Sequence, residues 1–590
     1  MTGSRPHARL RGRTAVLAAA CCALAGGGAV AATTAAGAAS GVVTVRSRVT
    51  GSDGASYSAT NHLTDAARSP APDGRRKEWL LVWAGDSGPG DSGTPDPDFL
   101  AVVDATRGTP DYGKVVNTVT IGGKTGNEPH HMQYTWRKGD RVYAGGIFSD
   151  TVYVFDVSRL PMIKLTGITL PEDTPCGSAP DAVTTLADGT AYATFMGGPN
   201  IAGPCTYTHG ETRLGNGFAG TPGEIVRLDR DGRVLTEAPA ATGRSEGAEH
   251  CPSLPPIAVP TCANPHGLGV REDLGVAVAS DFAEPRLLID PEIEGGAPNG
   301  NRDTVRVFDI ADRNRPRLRS VSRMPDGPRQ EATPFGEEPR GIMETTVTHR
   351  RGHRGAFASS MPGGTVYYAP DITVPHPQWR EVFDDYTAFK RLFPTDTPTS
   401  ALDGGGWLQV SPDDRFLYHV VLTGGLAGSP PAHQQAGMIY TLDIRRLLAA
   451  GPKAECRIDT LAEVAAGGTE RDCPALVSAL ELNDPSTGGP HWAAMDNFRA
   501  APNGLYRETD QISRIAVANY MLFTSHLDGD HKVCMVNVDP RGELALDTAF
   551  RDETTGAPCL EFDRPTWPHG AQGPARPHGV LFTVADQDLR

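Results

Sequence analysis

Histidine residues recur after proline in this chain, and imidazole both binds metals and transfers protons near neutral pH. A short proline-containing phrase occurs six times, generally ahead of an apolar, strand-like run. The residue after proline is histidine in four copies, and the residues at this position are His130, Asp181, His266, Arg340, His491 and His578. If the phrase marks one repeated structural unit, these residues occupy equivalent positions. Closure of the repeats into a ring would bring the imidazoles together on its axis, where they could hold a transition metal.

The sequence therefore predicts one metal site. Its predicted ligands are His130, His131, His266, His491 and His578, with His349, near another strand-like run, as a further candidate. Neutral imidazole suits copper, iron, zinc or nickel, and the Irving–Williams order favours copper at equal geometry. Asp181 either supplies an oxygen ligand or leaves a position open for substrate, and Glu344 orients a ligand or accepts a proton. The alternative is that each histidine is an ordinary turn residue beside its proline.

The elements that would position these residues are short strands. The 590 residues include 68 Gly and 49 Pro but only 7% aromatic residues, which favours many strands joined by turns. Residues 151–156 and 304–309 alternate apolar and polar side chains with the period of a strand. About seven pairs of such runs are present, each too small to bury its faces alone. We predict an all-β, seven-bladed β-propeller in which His578–Phe582 completes the first blade; a β-helix or a sandwich would not explain the phased proline turns.

The N-terminus has the pattern of a secretory signal peptide. Four arginines precede an apolar, alanine-rich run, and small residues follow it. We therefore expect a signal peptide at residues 1–39, a poorly ordered arm at 40–75 and the propeller at 76–590, in a secreted protein. A membrane anchor is the alternative, but the run is short and interrupted by glycines, and no second segment is suited to span a bilayer. The formal net charge of −15 argues against nucleic acid or an anionic membrane surface as a partner.

Cysteine usage supports export. Of the ten cysteines, Cys21 and Cys22 fall in the predicted signal peptide, and the other eight form four pairs of close neighbours. An even number in an exported chain implies disulfides. The spacing favours the pairs Cys176–Cys205, Cys251–Cys262, Cys456–Cys473 and Cys534–Cys559. A thiolate metal site would require close Cys-x-x-Cys pairs, which are absent from the sequence.

Several motifs resemble the selenium-binding protein / methanethiol oxidase family. They are Gly-Asn-Glu-Pro-His-His at 126–131, Ser-Pro-Asp-Asp-Arg-Phe-Leu-Tyr at 411–418, Gly-Gly-Pro-His at 488–491 and the run at 533–550 with the later His578. His266 and His349 also fall where that family carries histidines. The resemblance implies a seven-bladed propeller and copper held by channel histidines. It further implies oxidation of a small thiol, methanethiol, to formaldehyde, hydrogen sulfide and hydrogen peroxide.

The chain departs from the family at two places. The segment Cys-Gly-Ser-Ala-Pro-Asp at 176–181 lacks the histidine of the family, and residues 522–530 lack its Trp-Asp-x-Gln-Phe-Tyr-Pro segment. A ligand and part of the substrate entrance are therefore expected to differ. The leading hypothesis is a copper-dependent oxidoreductase whose small-molecule substrate is a thiol or another sulfur compound. A non-haem iron oxygenase similar to carotenoid-cleaving propellers and a metal-free binding propeller remain as alternatives.

Overall fold

The protein is described here by a computed structural model. It describes residues 41–590 except 72–73, 87–96, 123–127, 135, 248–249, 252–258, 287–299, 326–340, 362, 396–405, 423–436, 457, 459–460, 467–469, 483–488, 521–528 and 572. The predicted signal peptide at 1–39 therefore lies outside the described residues, and so does Arg340.

Seven small antiparallel sheets form a ring, and about 8% of the structure is helical. The predicted seven-bladed β-propeller is thereby confirmed. The N-terminal strands of blade 1 are β1 (Val43–Thr50), β2 (Ser56–Leu63), β3 (Glu78–Asp86), β4 (Phe99–Asp104) and β5 (Val115–Ile121). Blade 2 consists of β6 (Pro129–Met132), β7 (Arg141–Gly146), β8 (Thr151–Asp156) and β9 (Lys164–Thr169). Blade 3 contains β10 (Ser178–Thr185), β11 (Ala191–Gly197), an inserted hairpin of β12 (Gly203–Thr206) and β13 (Thr212–Gly215), then β14 (Glu224–Leu228) and β15 (Val234–Pro239).

The remaining blades follow the same order. Blade 4 consists of β16 (Pro265–Arg271), β17 (Val276–Asp281), β18 (Thr304–Asp309) and β19 (Arg317–Arg323). Blade 5 consists of β20 (Ile342–Val347), β21 (Ala356–Ser360), β22 (Thr365–Ala369) and β23 (Arg380–Asp384). Blade 6 consists of β24 (Leu408–Val410), β25 (Phe416–Val421), β26 (Met438–Asp443) and β27 (Ala475–Glu481). Blade 7 contains β28 (Trp492–Asp496), the hairpin of β29 (Phe498–Ala500) and β30 (Tyr506–Glu508), β31 (Arg514–Ala518), β32 (Lys532–Val538), β33 (Leu544–Leu546) and β34 (Leu560–Glu561).

The C-terminal strand closes the ring, as the sequence predicts. β35 (Ala575–Val584) pairs with β3 from Glu78↔Val584 to Asp86↔Ala575 and so becomes the innermost strand of blade 1. In the described part of the chain, four short α-helices lie between strands: α1 (Asp65–Arg68), α2 (Asp385–Leu392), α3 (Arg445–Ala450) and α4 (Leu461–Ala466). No helix among the described residues is long and apolar enough to cross a bilayer.

The expectation of a poorly ordered arm at 40–75 is wrong for most of that segment. β1 pairs with β2 over its whole length, and β2 pairs with β5, so the hairpin extends blade 1 at its outer edge. The Asn61 amide also donates to the Ile163 carbonyl of blade 2 at 2.7 Å. The hairpin is ordered because it pairs with the free edge of β5. Its mostly polar sequence carries only a weak strand pattern, which is why the sequence analysis did not find it.

Neighbouring blades are held together by the side chains on both faces of their strands. In β8, Tyr153 and Phe155 point toward blade 1, where their rings lie 5.9 and 6.2 Å from that of Trp83. Val152 and Val154 on the opposite face pack with Phe195 and other apolar residues of blade 3. This alternation is why β8 is apolar on both faces: a blade inside a ring has neighbours on both sides.

All four predicted cysteine pairs are bonded. They are Cys176–Cys205, Cys251–Cys262, Cys456–Cys473 and Cys534–Cys559, with sequence separations of 11 to 29 residues. Each bridge closes a segment within a blade or between consecutive blades. Cys456 and Cys473 also lie close to Glu470, but their sulfurs are bonded to each other and offer no thiolate to a metal.

Candidate metal centre

The innermost strand of each blade lies along the axis of the ring. These strands are β6, β10, β16, β20, β24, β28 and β35. The recurring proline phrase lies within β6, β10, β16 and β35, and His491 directly precedes β28. The residues after proline thus stand at equivalent positions of the inner strands.

Local irregularities at the proline phrases turn these side chains toward the axis. In β6, Pro129 pairs with Gly146 and Met132 with Ala144, so β6 carries one extra residue around His130 and His131. The same shift occurs at Asp181 in β10 and at His266 in β16. Proline has no N–H to donate to a ladder, and it is therefore suited to the edge of such a bulge. A bulge re-aims side chains, which is how a sheet residue comes to point along the channel.

Five histidines and one aspartate from five blades meet at the axis. They are His130 and His131 from blade 2, Asp181 from blade 3, His266 from blade 4, His491 from blade 7 and His578 from blade 1, and none is more than 3% exposed. Their donor atoms form two groups that could each hold a metal ion: His130, His131, Asp181 and His266, and separately His131, His491 and His578. We refer to these six residues as the histidine cluster.

Short distances join the members of the cluster. His131 Nδ1 lies 2.5 Å from Asp181 Oδ1, and His131 Nε2 lies 3.0 Å from His491 Nε2. Asp181 Oδ2 lies 3.3 Å from His266 Nε2 and 3.6 Å from His130 Nε2. His578 completes the cluster, with its ring centroid 4.1 Å from that of His130 and 4.9 Å from that of His491.

Many polar atoms of the cluster are buried without a hydrogen bond. They include both oxygens of Asp181, both ring nitrogens of His578 and Nδ1 of His130, His131 and His491. Even the close contact of His131 Nδ1 with Asp181 Oδ1 lacks hydrogen-bond geometry. Unsatisfied buried donors and acceptors are costly and therefore rare in folded proteins. A set of nitrogen and oxygen donors facing one another in this way fits a transition metal, because coordination would satisfy the atoms left without partners.

The electrostatics of the cluster favour neutral imidazoles. Burial lowers the pKa of His130 and lowers the pKa of His131 to about 3. Burial and the neighbouring histidines also hold the pKa of His491 and His578 well below the usual value. Neutral imidazole is the form that binds a metal.

Asp181 carries the negative charge of the cluster. Burial opposes that charge, but His266, His131 and His130 outweigh burial and hold the pKa of Asp181 well below its usual range. For His266, burial opposes a positive charge, yet Asp181 and Glu344 together raise its pKa. Asp181 Oδ2 and His266 Nε2, 3.3 Å apart, thus each favour the charged form of the other.

Three further side chains hold the cluster in place. Glu344 Oε1 lies 3.3 Å from His266 Nδ1 and accepts a hydrogen bond from the Tyr134 hydroxyl at 2.9 Å. Trp492 stacks on His131 with ring centroids 3.9 Å apart. The sequence analysis gave no role to Tyr134 or Trp492. Their only local signal is proximity in sequence: Trp492 follows His491, and Tyr134 lies three residues after His131.

The structure brings together most, but not all, of the predicted site residues. Glu344 reaches His266, as an orienting residue would. His349 does not join the cluster: its Nε2 lies 3.1 Å from the Val410 carbonyl, its ring contacts Trp136, and burial lowers its pKa to about 4. It follows β20 by two residues, whereas the cluster lies toward the opposite ends of the inner strands, so strand direction separates the two.

His349 instead lines a cavity of about 870 Å³ at the other end of the channel. Its lining includes Tyr134, Thr184, Leu268, Thr346 and Gln409 from five inner strands or the residues that follow them. Because Tyr134 also bonds Glu344, the cavity and the cluster share a wall.

Comparison with known proteins gives a partial answer. No family model matches the chain. One stretch is 33% identical over 89 residues to the methanethiol oxidase of Ruegeria pomeroyi, covering 15% of this chain and 18% of that protein. The match thus spans less than a fifth of the relative's length. A hypothetical selenium-binding protein from Sulfolobus tokodaii has a similar structure, with a TM-score of 0.54 and 16% identity over 88% of this chain and 95% of that chain. At this identity the likeness shows the propeller fold alone.

Proposed function

We propose that this protein is a divergent, exported member of the selenium-binding protein / methanethiol oxidase family, and a copper-dependent oxidoreductase that acts on a small thiol. The observation that carries the proposal is the convergence of five buried histidines and Asp181 from five blades, with many donor atoms left unsatisfied. The short similarity to a methanethiol oxidase supports the substrate class. The four disulfides support export to an oxidising compartment.

The residues of the cluster would hold copper, and their roles in binding it differ. Copper would supply one-electron redox chemistry and, as Cu(I), an affinity for thiolate sulfur. The neutral rings of His131, His491 and His578 present nitrogen lone pairs, and the Asp181 carboxylate compensates positive charge in a site that water hardly reaches. Glu344 fixes the ring of His266 through Nδ1, which is the usual role of a carboxylate behind a metal-bound histidine.

The test is metal analysis and thiol oxidation on protein purified from its native export route. We expect copper in the purified protein, and oxygen-dependent consumption of methanethiol with release of hydrogen peroxide. The His491→Ala variant should lose activity and contain less copper, whereas the His376→Ala variant, changed at an exposed histidine, should keep both. Iron in place of copper, or a metal-free protein with an intact fold, would overturn the proposal.

A further inference from the structure

His131 belongs to both groups of donors, and it faces each of them with a different nitrogen. Nδ1 lies 2.5 Å from Asp181 Oδ1, in the group with His130 and His266. Nε2 lies 3.0 Å from His491 Nε2, in the group with His578. The two nitrogens of an imidazole point out of the ring in divergent directions, so one ion cannot bind both.

Two stacked rings restrict the orientation of His131. His130 stacks on it with centroids 4.2 Å apart and an interplanar angle of 27°, and Trp492 does so at 3.9 Å and 24°. The ring is also completely buried. A stacked ring cannot tilt freely, and a 180° flip would turn Cδ2 and Cε1, not the nitrogens, toward the two groups. In the orientation of the structure Nδ1 faces Asp181 and Nε2 faces His491.

The other donors divide between the two sides of His131. His266 lies on the Asp181 side, with Nε2 3.3 Å from Asp181 Oδ2, and His130 Nε2 lies 3.6 Å from the same oxygen. His491 and His578 form the other group of donors, with ring centroids 4.9 Å apart, and the His578 ring also lies 4.1 Å from that of His130. One side thus offers three nitrogens and a carboxylate, and the other offers three nitrogens. Each is a sufficient ligand set for one transition-metal ion, since catalytic sites commonly use three protein ligands.

We propose that the histidine cluster holds two first-row transition-metal ions, at least one of them copper, and that His131 bridges them through both ring nitrogens. This inference rests on the proposed function, which needs only one ion. Coordination of both nitrogens leaves the ring without an N–H, so binding of the second ion releases one proton from His131 to solvent. The side with His491 and His578 has fewer protein ligands and leaves a position for the thiolate of the substrate.

If the cluster held only one ion, His131 and Asp181 would make different contacts. There, His131 would bind through Nε2, and its Nδ1–H would donate to Asp181 as an orienting carboxylate. The structure places these two atoms close together without hydrogen-bond geometry, and both Asp181 oxygens lack a donor. This arrangement is expected if the two atoms are ligands of one ion, which at bond lengths of about 2.0–2.1 Å would hold them slightly farther apart.

The experiment is to count metal ions per chain by mass spectrometry in the purified holoprotein and in two single variants. We expect about two ions per chain in the unmodified protein, and about one in His266→Ala and in His578→Ala, because each variant removes a ligand from one side only. The His349→Ala variant, changed at a half-buried histidine outside the cluster, should keep both ions. Circular dichroism checks that each variant is folded, and His266→Gln and His578→Gln replace any variant that is not.

A second measurement uses the unmodified protein alone. After metal removal and reloading with Cu(II) alone, an imidazole bridge should couple the two spins, so that electron paramagnetic resonance detects fewer spins than there are copper ions. One ion per chain, or two ions with a full spin count, would overturn the bridge and leave the proposed copper enzyme intact. Protein purified without metal that also fails to take up copper would overturn both.

Discussion

The histidine cluster and the two buried arginines Arg306 and Arg514 are two kinds of buried polar structure, and their hydrogen bonding differs. Arg306 donates to Asp281 at 2.6 Å, to Glu246 at 2.7 Å and to the Ala240 carbonyl at 2.8 Å. These contacts join blade 4 to the chain that arrives from blade 3. All three guanidinium nitrogens of Arg306 have partners, whereas the histidine cluster leaves many atoms without any.

A second arginine repeats the first arrangement at the closure of the ring. Arg514 in blade 7 donates to Asp496 at 2.6 Å, pairs with Glu78 of blade 1 at 2.6 Å, and donates to the Ala105 carbonyl at 2.8 Å. Satisfied buried charges of this kind connect blades. The comparison indicates that fully paired buried charges of this kind serve the fold, whereas the unsatisfied atoms of the histidine cluster, which face one another, fit a ligand.

Breaking an arginine network should have the largest effect on stability. The Arg306→Ala change leaves Asp281 and Glu246 buried without their counterion, and we expect the free energy of unfolding to fall by about 3–5 kcal/mol. Urea unfolding measures this loss. The matched change Arg313→Ala, at a side chain that is 33% exposed, should cost less than about 1 kcal/mol. Equal losses in the two variants would contradict a structural role for the buried network.

Removal of a cluster histidine should have a large effect on metal content and only a small effect on stability. The His578→Ala change deletes a ring whose two nitrogens have no hydrogen-bond partner. We therefore expect metal content to fall sharply, while metal-free protein changes its melting temperature by only a few degrees. Metal analysis and calorimetry on the same sample separate the two effects. A His578→Ala protein that keeps its full metal content would show that the unsatisfied nitrogens do not mark a ligand.

Glu344 contacts His266 of the histidine cluster but belongs to neither group of metal donors. A change at Glu344 therefore tests how much a neighbouring carboxylate contributes to metal binding. The Glu344→Gln change keeps the size of the side chain but weakens its hold on the His266 ring. We expect metal affinity to fall about 10–100-fold, as for other orienting carboxylates. Competition with a chelator measures the affinity. Unchanged affinity would mean that Glu344 serves only to pair with Tyr134.

Asp150 is a buried carboxyl that belongs to neither the histidine cluster nor the arginine networks, and its replacement should have a small, pH-dependent effect on stability. Burial raises the pKa of Asp150 to about 8. A carboxyl whose pKa is raised on folding stabilises the folded state at low pH, and this contribution is lost as pH rises from about 4 to about 8. The Asp150→Asn change should therefore raise the melting temperature by a few degrees at pH 8 and by less at pH 5. An increase of equal size at both pH values would show that the charge of Asp150 is not the cause.

Sequence alone determined the features that depend on local pattern. The period-two runs and the repeated proline phrase predicted the seven blades and the role of β35 in closing them. The cysteine pairs followed from spacing, because each bridge spans at most 29 residues and ordinary chain geometry already favours such short loops. The candidate histidines were found because bulges at equivalent prolines repeat with the blades.

Tertiary structure decided which of those residues meet. His131 and His491 are 360 residues apart, and only closure of the ring places their nitrogens 3.0 Å from each other. The same closure separates His349 from the cluster, because residues at opposite ends of an inner strand reach opposite ends of the channel. The stacking of Trp492 on His131 and the contact of Tyr134 with Glu344 likewise join blades far apart in sequence. Such contacts depend on how whole sheets pack around the axis, and no local pattern of residues encodes that packing.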